Sequence, residues 1–190
     1  MRDGATDEVT TGASPRRAGV PPWLHLVLDR PEIPNNTGNI GRTALAIGAR
    51  LHLVHPLGFD LSEKACRRAG LDYWPHLDWC EHACFDDYAA SRPPRVWLFT
   101  TKAERSLWDA EFQPGDHLLF GRETSGADPE VHAWIDRSFG PEHRLRLPMV
   151  RRPEARSLNL ATAVSAAAYA ALDRIRLRHP ELASDPRFPA

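Results

Sequence analysis

The chain has almost no excess charge of either sign. Its 24 Lys and Arg stand against 25 Asp and Glu, a formal net charge of -1 over 190 residues, which excludes a uniformly basic nucleic-acid coat. Any contact with a polyanion must therefore use a local patch. Cysteine is scarce as well. Cys66, Cys80 and Cys84 are an odd number in a chain long enough to bury its own core, which excludes a disulfide framework and leads us to expect a reducing, cytoplasmic location. Long apolar runs are missing: the stretch from Ala161 to Leu172 is broken by Thr162 and Ser165 and falls short of the ~20 residues of a membrane span, so no membrane association is expected. Residues 1–22 lack a secretory-type apolar segment and are polar and rich in Gly, Pro, Ser and Thr. Such a composition cannot bury enough surface to order itself, and we expect a flexible tail there.

Several familiar site motifs are absent too. Gly121 and Gly126 have phosphate-loop separation, but Ala127-Asp128 follow where Lys-Ser/Thr is required. No G-x-G-x-x-G follows the first candidate strand, and no G-x-S-x-G marks a hydrolase nucleophile.

What is present, with 42% hydrophobic and 26% charged residues, is an ordinary globular composition. Candidate strands are Leu24–Leu28, Leu51–His55, Tyr73–Trp79, Val96–Thr100, His117–Phe120 and Arg144–Leu147. Candidate helices are Thr37–Ala49, Ser62–Ala69, Phe85–Ser91, Pro129–Arg137 and a long one from about Ser157 to Arg178. Their alternation predicts an α/β fold, a mainly parallel sheet flanked by helices, as one domain over residues 23–178 with a second tail at 179–190. The last helix reads as apolar nearly all round, through Leu160, Val164, Ala167, Ala168, Ala171 and Ile175 and the small residues between them. That fits a central core helix or a subunit interface.

Ligands of such sheets sit outside the carboxyl ends of the strands, so the loops there matter most. After the first strand, Pro31 and Pro34 stiffen the loop, Asn36 or Thr37 can cap the next helix, and Arg42 can reach back toward its start. After the fifth comes Gly121-Arg122-Glu123-Thr124-Ser125-Gly126, whose glycines permit close backbone approach to a ligand. In an extended run Cys80, His82 and Cys84 share one face. Paired zinc ligands normally stand two or more residues apart, so no metal is expected, and a strand end with partly buried thiols is preferred. Basic residues cluster despite the neutral total: Lys64, Arg67 and Arg68 on one helix face, Arg151, Arg152 and Arg156 before the last helix, and Arg42 and Arg122 elsewhere. Any one of them is most simply a solvated ion-pairing group, whereas together they suit phosphate.

Four segments carry a resemblance. They are Pro31-Glu32-Ile33-Pro34-Asn35-Asn36-Thr37-Gly38-Asn39-Ile40-Gly41-Arg42, Arg67-Arg68-Ala69-Gly70-Leu71-Asp72-Tyr73, Phe120-Gly121-Arg122-Glu123-Thr124-Ser125-Gly126, and Leu147-Pro148-Met149 through Ser157-Leu158-Asn159-Leu160-Ala161-Thr162-Ala163-Val164-Ser165. In this order they resemble the motifs of the SPOUT RNA methyltransferases of the TrmH class, and more narrowly the tRNA (cytidine/uridine-34) 2'-O-methyltransferases. The resemblance spans about residues 23–178. It departs at Ala127 and Asp128, where the family often has Leu-Pro.

The resemblance implies a homodimer with a C-terminal trefoil knot, a feature that connection rules make rare. It implies S-adenosylmethionine as cofactor and the tRNA anticodon stem-loop as partner, methylated on the ribose of wobble nucleotide 34. Carried over, the cofactor site would use Phe99, Thr100, Gly121, Glu123, Leu147, Met149, Ser157, Leu158 and Asn159. Arg42 and Asn36 take the catalytic positions, and Arg67, Arg68, Arg151, Arg152 and Arg156 are candidates for RNA contact. The family's usual proposal makes the arginine a general base, yet a guanidinium stays protonated in proteins. Arg42 therefore reads better as a phosphate ligand that stabilises the forming alkoxide, with Asn36 orienting Arg42 or the ribose. A methyltransferase acting on ribosomal RNA or another tRNA position, and a non-catalytic RNA-binding relative, are the alternatives.

Overall fold

The computed structural model describes residues 21–61, 72–150 and 152–180. The expected helix Ser62–Ala69, with Lys64, Arg67 and Arg68, lies outside the described residues, as do Arg151 and most of both tails. Six strands, β1 (Leu24–Asp29), β2 (Arg50–Val54), β3 (Trp79–His82), β4 (Val96–Phe99), β5 (Asp116–Phe120) and β6 (Arg144–Leu145), form one sheet in the order β3-β2-β1-β5-β4-β6. Every pairing between them is parallel. The helices are α1 (Pro34–Ala46), α2 (Phe85–Ala90), α3 (Pro129–Ser138) and α4 (Leu160–Arg178).

Period-two alternation sends successive strand residues to opposite faces, and both faces are covered. Leu24, Leu26, Leu28, Leu51, Leu53 and Leu118 pack with Ile40 and Ala44 of α1 and with Val164, Ala168 and Ala171 of α4. Val27, Val54, Leu98 and Leu119 pack instead with Tyr88 of α2 and Val131 and Ile135 of α3. Burial on both faces is why the central strands read as mostly apolar runs, each with one histidine, His25, His52 or His117.

Several expectations need correction. The segment Tyr73–Trp79 is not a strand. Pro75 lacks the N–H a ladder needs, and Trp74–His76 forms a 3-10 turn with Pro75 in its opening positions, so β3 begins only at Trp79. Helix α1 starts three residues earlier than its expected Thr37 and ends at Ala46, not Ala49. Pro34 supplies a helix-ready φ at its start. Gly48 at φ 63° stops it, with Ala49 N–H on the Ala44 carbonyl and Gly48 N–H on that of Leu45, the Schellman pattern. Neither Asn36 nor Thr37 caps this helix; the N-cap position is Ile33, which contributes no side-chain bond. Helix α4 begins at Leu160 behind Asn159, whose Oδ1 accepts from the Thr162 N–H, so Ser157–Asn159 precede it. It is buried along one stripe, while Thr162, Ala166 and Tyr169 are exposed on the other.

The chain moves outward from β1 to β2 and β3, crosses to β4 on the other side and comes back to β5 beside β1, so the loops after β1 and β5 face each other across a topological switch point. Beyond β4, the Thr100 N–H donates to the Leu145 carbonyl at 2.9 Å. On the far side, Leu107 N–H donates to Arg146 O at 3.0 Å and Arg146 N–H to Arg105 O at 2.9 Å. Leu145 and Arg146 thus run between the end of β4 and the segment Arg105–Leu107.

Candidate active site at the carboxyl ends of the strands

Asn36 sits in the first turn of α1 and is 6% exposed. Its Nδ2 donates to Glu123 Oε1 at 3.0 Å, and its Oδ1 accepts from Asn159 Nδ2 at 2.9 Å. One amide therefore joins the loop after β5 to the start of α4, across 87 and 123 residues of sequence. Both ends of that amide are satisfied within the protein, as a buried amide requires.

Glu123 does more than receive Asn36. Its Oε2 accepts from the Glu32 N–H at 2.8 Å and its Oε1 from the Ile33 N–H at 3.3 Å, so its negative charge stands at the amino end of α1. The Glu32 carboxylate answers by accepting from the Thr124 N–H at 3.1 Å and from Thr124 Oγ1 at 2.8 Å. These reciprocal bonds pin the two loops together. The glycine loop itself closes through Arg122 N–H on Gly126 O at 3.2 Å and Gly126 N–H on Arg122 O at 3.0 Å, with Gly126 at φ 71°. A Cβ on Gly121 would stand 2.1 Å from Ala127 N and 2.2 Å from Gly126 C, so its close approach is to its own loop.

Arg42 lies further along α1 and is exposed. Its guanidinium stands over the Tyr73 ring, 4.6 Å from the centroid, and the Tyr73 hydroxyl donates to the Gly38 carbonyl of the same helix. The aromatic ring thus props the cation from below. Arg42 opens onto a surface groove of about 760 Å³ between α1 and α4, where Asn39, Thr43, Asn159, Thr162 and Tyr169 also stand. Thr43 Oγ1 and Ser165 Oγ, 2.9 Å apart, tie the two helices at its floor.

The remaining expected cofactor residues fall on the three neighbouring loops. Phe99 is buried and stacked on Phe120, with centroids 4.9 Å apart and planes at 11°. Thr100 follows it at the end of β4, Leu147 and Met149 are half-buried after β6, and Ser157, Leu158 and Asn159 are exposed before α4. The structure thus brings Asn36, Glu123 and Asn159 into direct contact, and places Gly121, Phe99 and Thr100 on adjacent strand ends. Of the expected RNA-binding arginines, Arg152 and Arg156 are exposed in the loop before α4. Arg122 differs: it is paired with Asp128, which also binds Arg30 at 2.8 Å. Burial opposes the charge on Asp128, but the hydrogen bond and charge of Arg30 and the charge of Arg122 hold its carboxyl below the ordinary value.

Sequence reasoning missed Glu32, Tyr73 and Asp128. Glu32 and Tyr73 do occur inside the quoted motifs, but only the folded distances assign them a task.

Residues 23–169 match the SpoU rRNA Methylase family. The chain is 45% identical over 151 residues to a tRNA (cytidine(34)-2'-O)-methyltransferase of Burkholderia pseudomallei (strain 1106a), covering 78% of this chain and 93% of that protein. A solved structure described as "Structural insights into the 2-OH methylation of C/U34 on tRNA" is similar at a TM-score of 0.70 and 49% identity, covering 80% of this chain and 95% of that one. An AdoMet-bound rRNA methyltransferase from Sinorhizobium meliloti is similar at a TM-score of 0.67 and 25% identity, over 81% of this chain and 58% of that one. A parallel sheet whose first, fifth and last loops are laced together by Asn36, Glu123 and Asn159 is thus found in a chain matched over nearly all its described length: it belongs to the SpoU rRNA methylase family.

Proposed function

We propose that this protein methylates the ribose 2'-oxygen of wobble nucleotide 34 in tRNA, with S-adenosylmethionine as methyl donor, working in the cytoplasm as a homodimer through its domain at residues 23–178. The observation that carries the reading is the hydrogen-bonded line Glu123–Asn36–Asn159, which holds the helix bearing Arg42 against two of the cofactor loops. Identity of 45% and 49% to proteins described by position 34 supports the nucleotide.

The residues fit the cofactor. Leu147 and Met149, half-buried, and Leu158, 44% exposed, offer apolar surface for an adenine where the strand ends offer backbone polar groups. Gly121 and the strand end at Phe99 and Thr100 bring backbone close to that space, and Glu123, Ser157 and Asn159 border it. S-adenosylmethionine, when bound, supplies an electrophilic methyl group on a sulfonium. The protein's share is to position the ribose hydroxyl in line with it and to stabilise charge growing on the oxygen. Arg42 brings a cationic guanidinium that binds the adjacent phosphate and stabilises the developing 2'-alkoxide, while the proton leaves to phosphate or water. Asn36 is a positioning residue: both of its polar groups are spent on Glu123 and Asn159, which fixes α1 and therefore Arg42. Arg67, Arg68, Arg151, Arg152 and Arg156 supply phosphate contacts from one or both subunits.

The groove between α1 and α4 supports the dimer, because Tyr169 beside it is 55% exposed and the α4 surface toward it is built of small residues. The passage of Leu145 and Arg146 between β4 and Arg105–Leu107 supports a threaded, knotted carboxyl end.

Incubation with labelled S-adenosylmethionine and total tRNA or ribosomal RNA, followed by mapping of the modified nucleotide, tests the reading. Label confined to wobble riboses is expected, and label only in ribosomal RNA overturns it. In single turnovers Arg42→Lys loses about 100-fold or more, the scale of removing one oriented donor from a developing oxyanion. A near-parental rate in that variant contradicts a geometric role for the guanidinium. Affinity for tRNA falls steeply with salt.

A further inference from the structure

The sheet face under α2 carries a group of side chains that methyl transfer does not use. His25 of β1 and His117 of β5 are register partners, as are His52 of β2 and Cys80 of β3. His82 stands two residues beyond Cys80 on the same face. Three donor atoms converge at the β2–β3 side of this group. His52 Nδ1 lies 3.0 Å from His82 Nε2 and 3.3 Å from Cys80 Sγ, and Cys80 Sγ lies 3.7 Å from His82 Nε2. A tetrahedral cation with nitrogens at about 2.0–2.1 Å and a thiolate at about 2.3 Å holds its ligands about 3.3–3.6 Å apart.

Two of these contacts compete for one nitrogen. A neutral imidazole has one N–H and one lone pair, and His52 spends Nε2 on His25 Nδ1 at 2.8 Å. Its Nδ1 then faces both the thiol and His82 with a single site to share. A cation takes a lone pair from each of the three. The surroundings also have the form of an outer shell: His25 holds the far nitrogen of His52, and the Asp87 carboxylate of α2 stands 3.7 Å from His82 Nδ1. His25 in turn stacks on His117 at 4.1 Å and 3°, and His117 Nδ1 meets the Tyr88 hydroxyl at 3.1 Å.

We infer that this chain binds one thiophilic divalent cation of the zinc type through His52 Nδ1, Cys80 Sγ and His82 Nε2, with water in the fourth position. The spacing argument against a metal considered ligands from a single segment. Here the third ligand comes from the neighbouring strand, whose register no short-range spacing reveals. The site lies on the face opposite α1 and α4, so its role is to staple β2 to β3 at the edge of the sheet. It does not depend on the proposed methyl transfer.

The test uses the full chain without an affinity tag, stripped with a chelator and titrated with Co²⁺. One equivalent is expected to bind, with a thiolate-to-cobalt charge-transfer band and the visible bands of tetrahedral cobalt, both abolished by added Zn²⁺. Cys80→Ser loses the charge-transfer band, and His82→Gln weakens binding by at least the about 10–100-fold that loss of an outer-shell group costs. His76→Gln, in the exposed 3-10 turn, leaves both unchanged. Circular dichroism verifies that the variants fold. The parental spectrum stands even if they do not, since one sulfur and two nitrogen donors by X-ray absorption are required of the parent itself. A parent that binds neither cation, or that binds cobalt without sulfur, overturns the inference, as does a folded Cys80→Ser that keeps the band.

Discussion

Replacing Glu123 by Gln separates two roles that the resemblance merges. The carboxylate accepts two well-formed bonds, from the Glu32 N–H at 2.8 Å and from Asn36 Nδ2 at 3.0 Å, and a longer one from the Ile33 N–H. A glutamine retains one acceptor oxygen and turns an amide N–H₂ toward donors. Bonds to a charged acceptor contribute about 1.5 kcal/mol each at the low end, which suits a half-buried group; the two well-formed bonds go to different oxygens, so the oxygen that remains keeps one and losing the other costs about 1.5 kcal/mol. In a domain of this size that lowers Tm by roughly 3–6 °C. Thermal unfolding followed by circular dichroism reads this directly, and calorimetric titration with S-adenosylmethionine reads cofactor affinity on the same samples. Stability and affinity are expected to fall together, because α1 and the glycine loop part company. If Tm stays within about 1 °C of the parent while only cofactor affinity falls, the carboxylate is a ligand contact and the strut described here is wrong.

Gly121→Ala forces the added methyl against the backbone of Gly126 and Ala127, costing about 1–3 kcal/mol and weakening cofactor binding; parental behaviour in both assays would show that the loop yields. Asp116 is buried and accepts from Arg95 at 2.7 and 3.0 Å, Trp97 Nε1 at 2.8 Å and the Gln113 N–H at 2.9 Å. Asp116→Ala therefore costs about 3 kcal/mol in urea unfolding, the low end for a broken buried pair since Arg95 keeps some solvent; a loss below about 1 kcal/mol contradicts this. Burial lowers His143 below its ordinary value despite its bond to the Val96 carbonyl at 2.9 Å, so the fold holds it neutral. The unfolded chain takes up that proton as pH falls through about 6.5, so this residue's contribution is present above that pH and lost below it. His143→Gln should lose less stability than the parent between about pH 7.5 and about pH 5.5, and equal losses would clear His143 of the effect.

The central strands were legible because helices cover them on both faces, leaving mostly apolar runs such as Leu24–Leu28, in which His25 is the single polar residue. Tyr73–Trp79 misled for a related reason: buried aromatics look strand-like, but here they serve the core and Arg42 while Pro75 turns the chain. The motifs singled out Asn36, Glu123 and Asn159 as separate residues. Only the fold reveals that they bond to one another, since nothing local links positions 87 and 123 residues apart. Asn36 shows the same limit from another side: its type and position suit a helix cap, and tertiary partners claimed it first.

The bond from Asn159 to Asn36 also sets a clock. It joins the first helix of the domain to the start of the last, so a ribosome must release nearly the whole chain before α4 can dock and Arg42 can be held in place. Chains cut short before Leu160 have every strand of the sheet but lack the helix that covers Leu24, Leu26, Leu53 and Leu118, so that face of the sheet would be left bare.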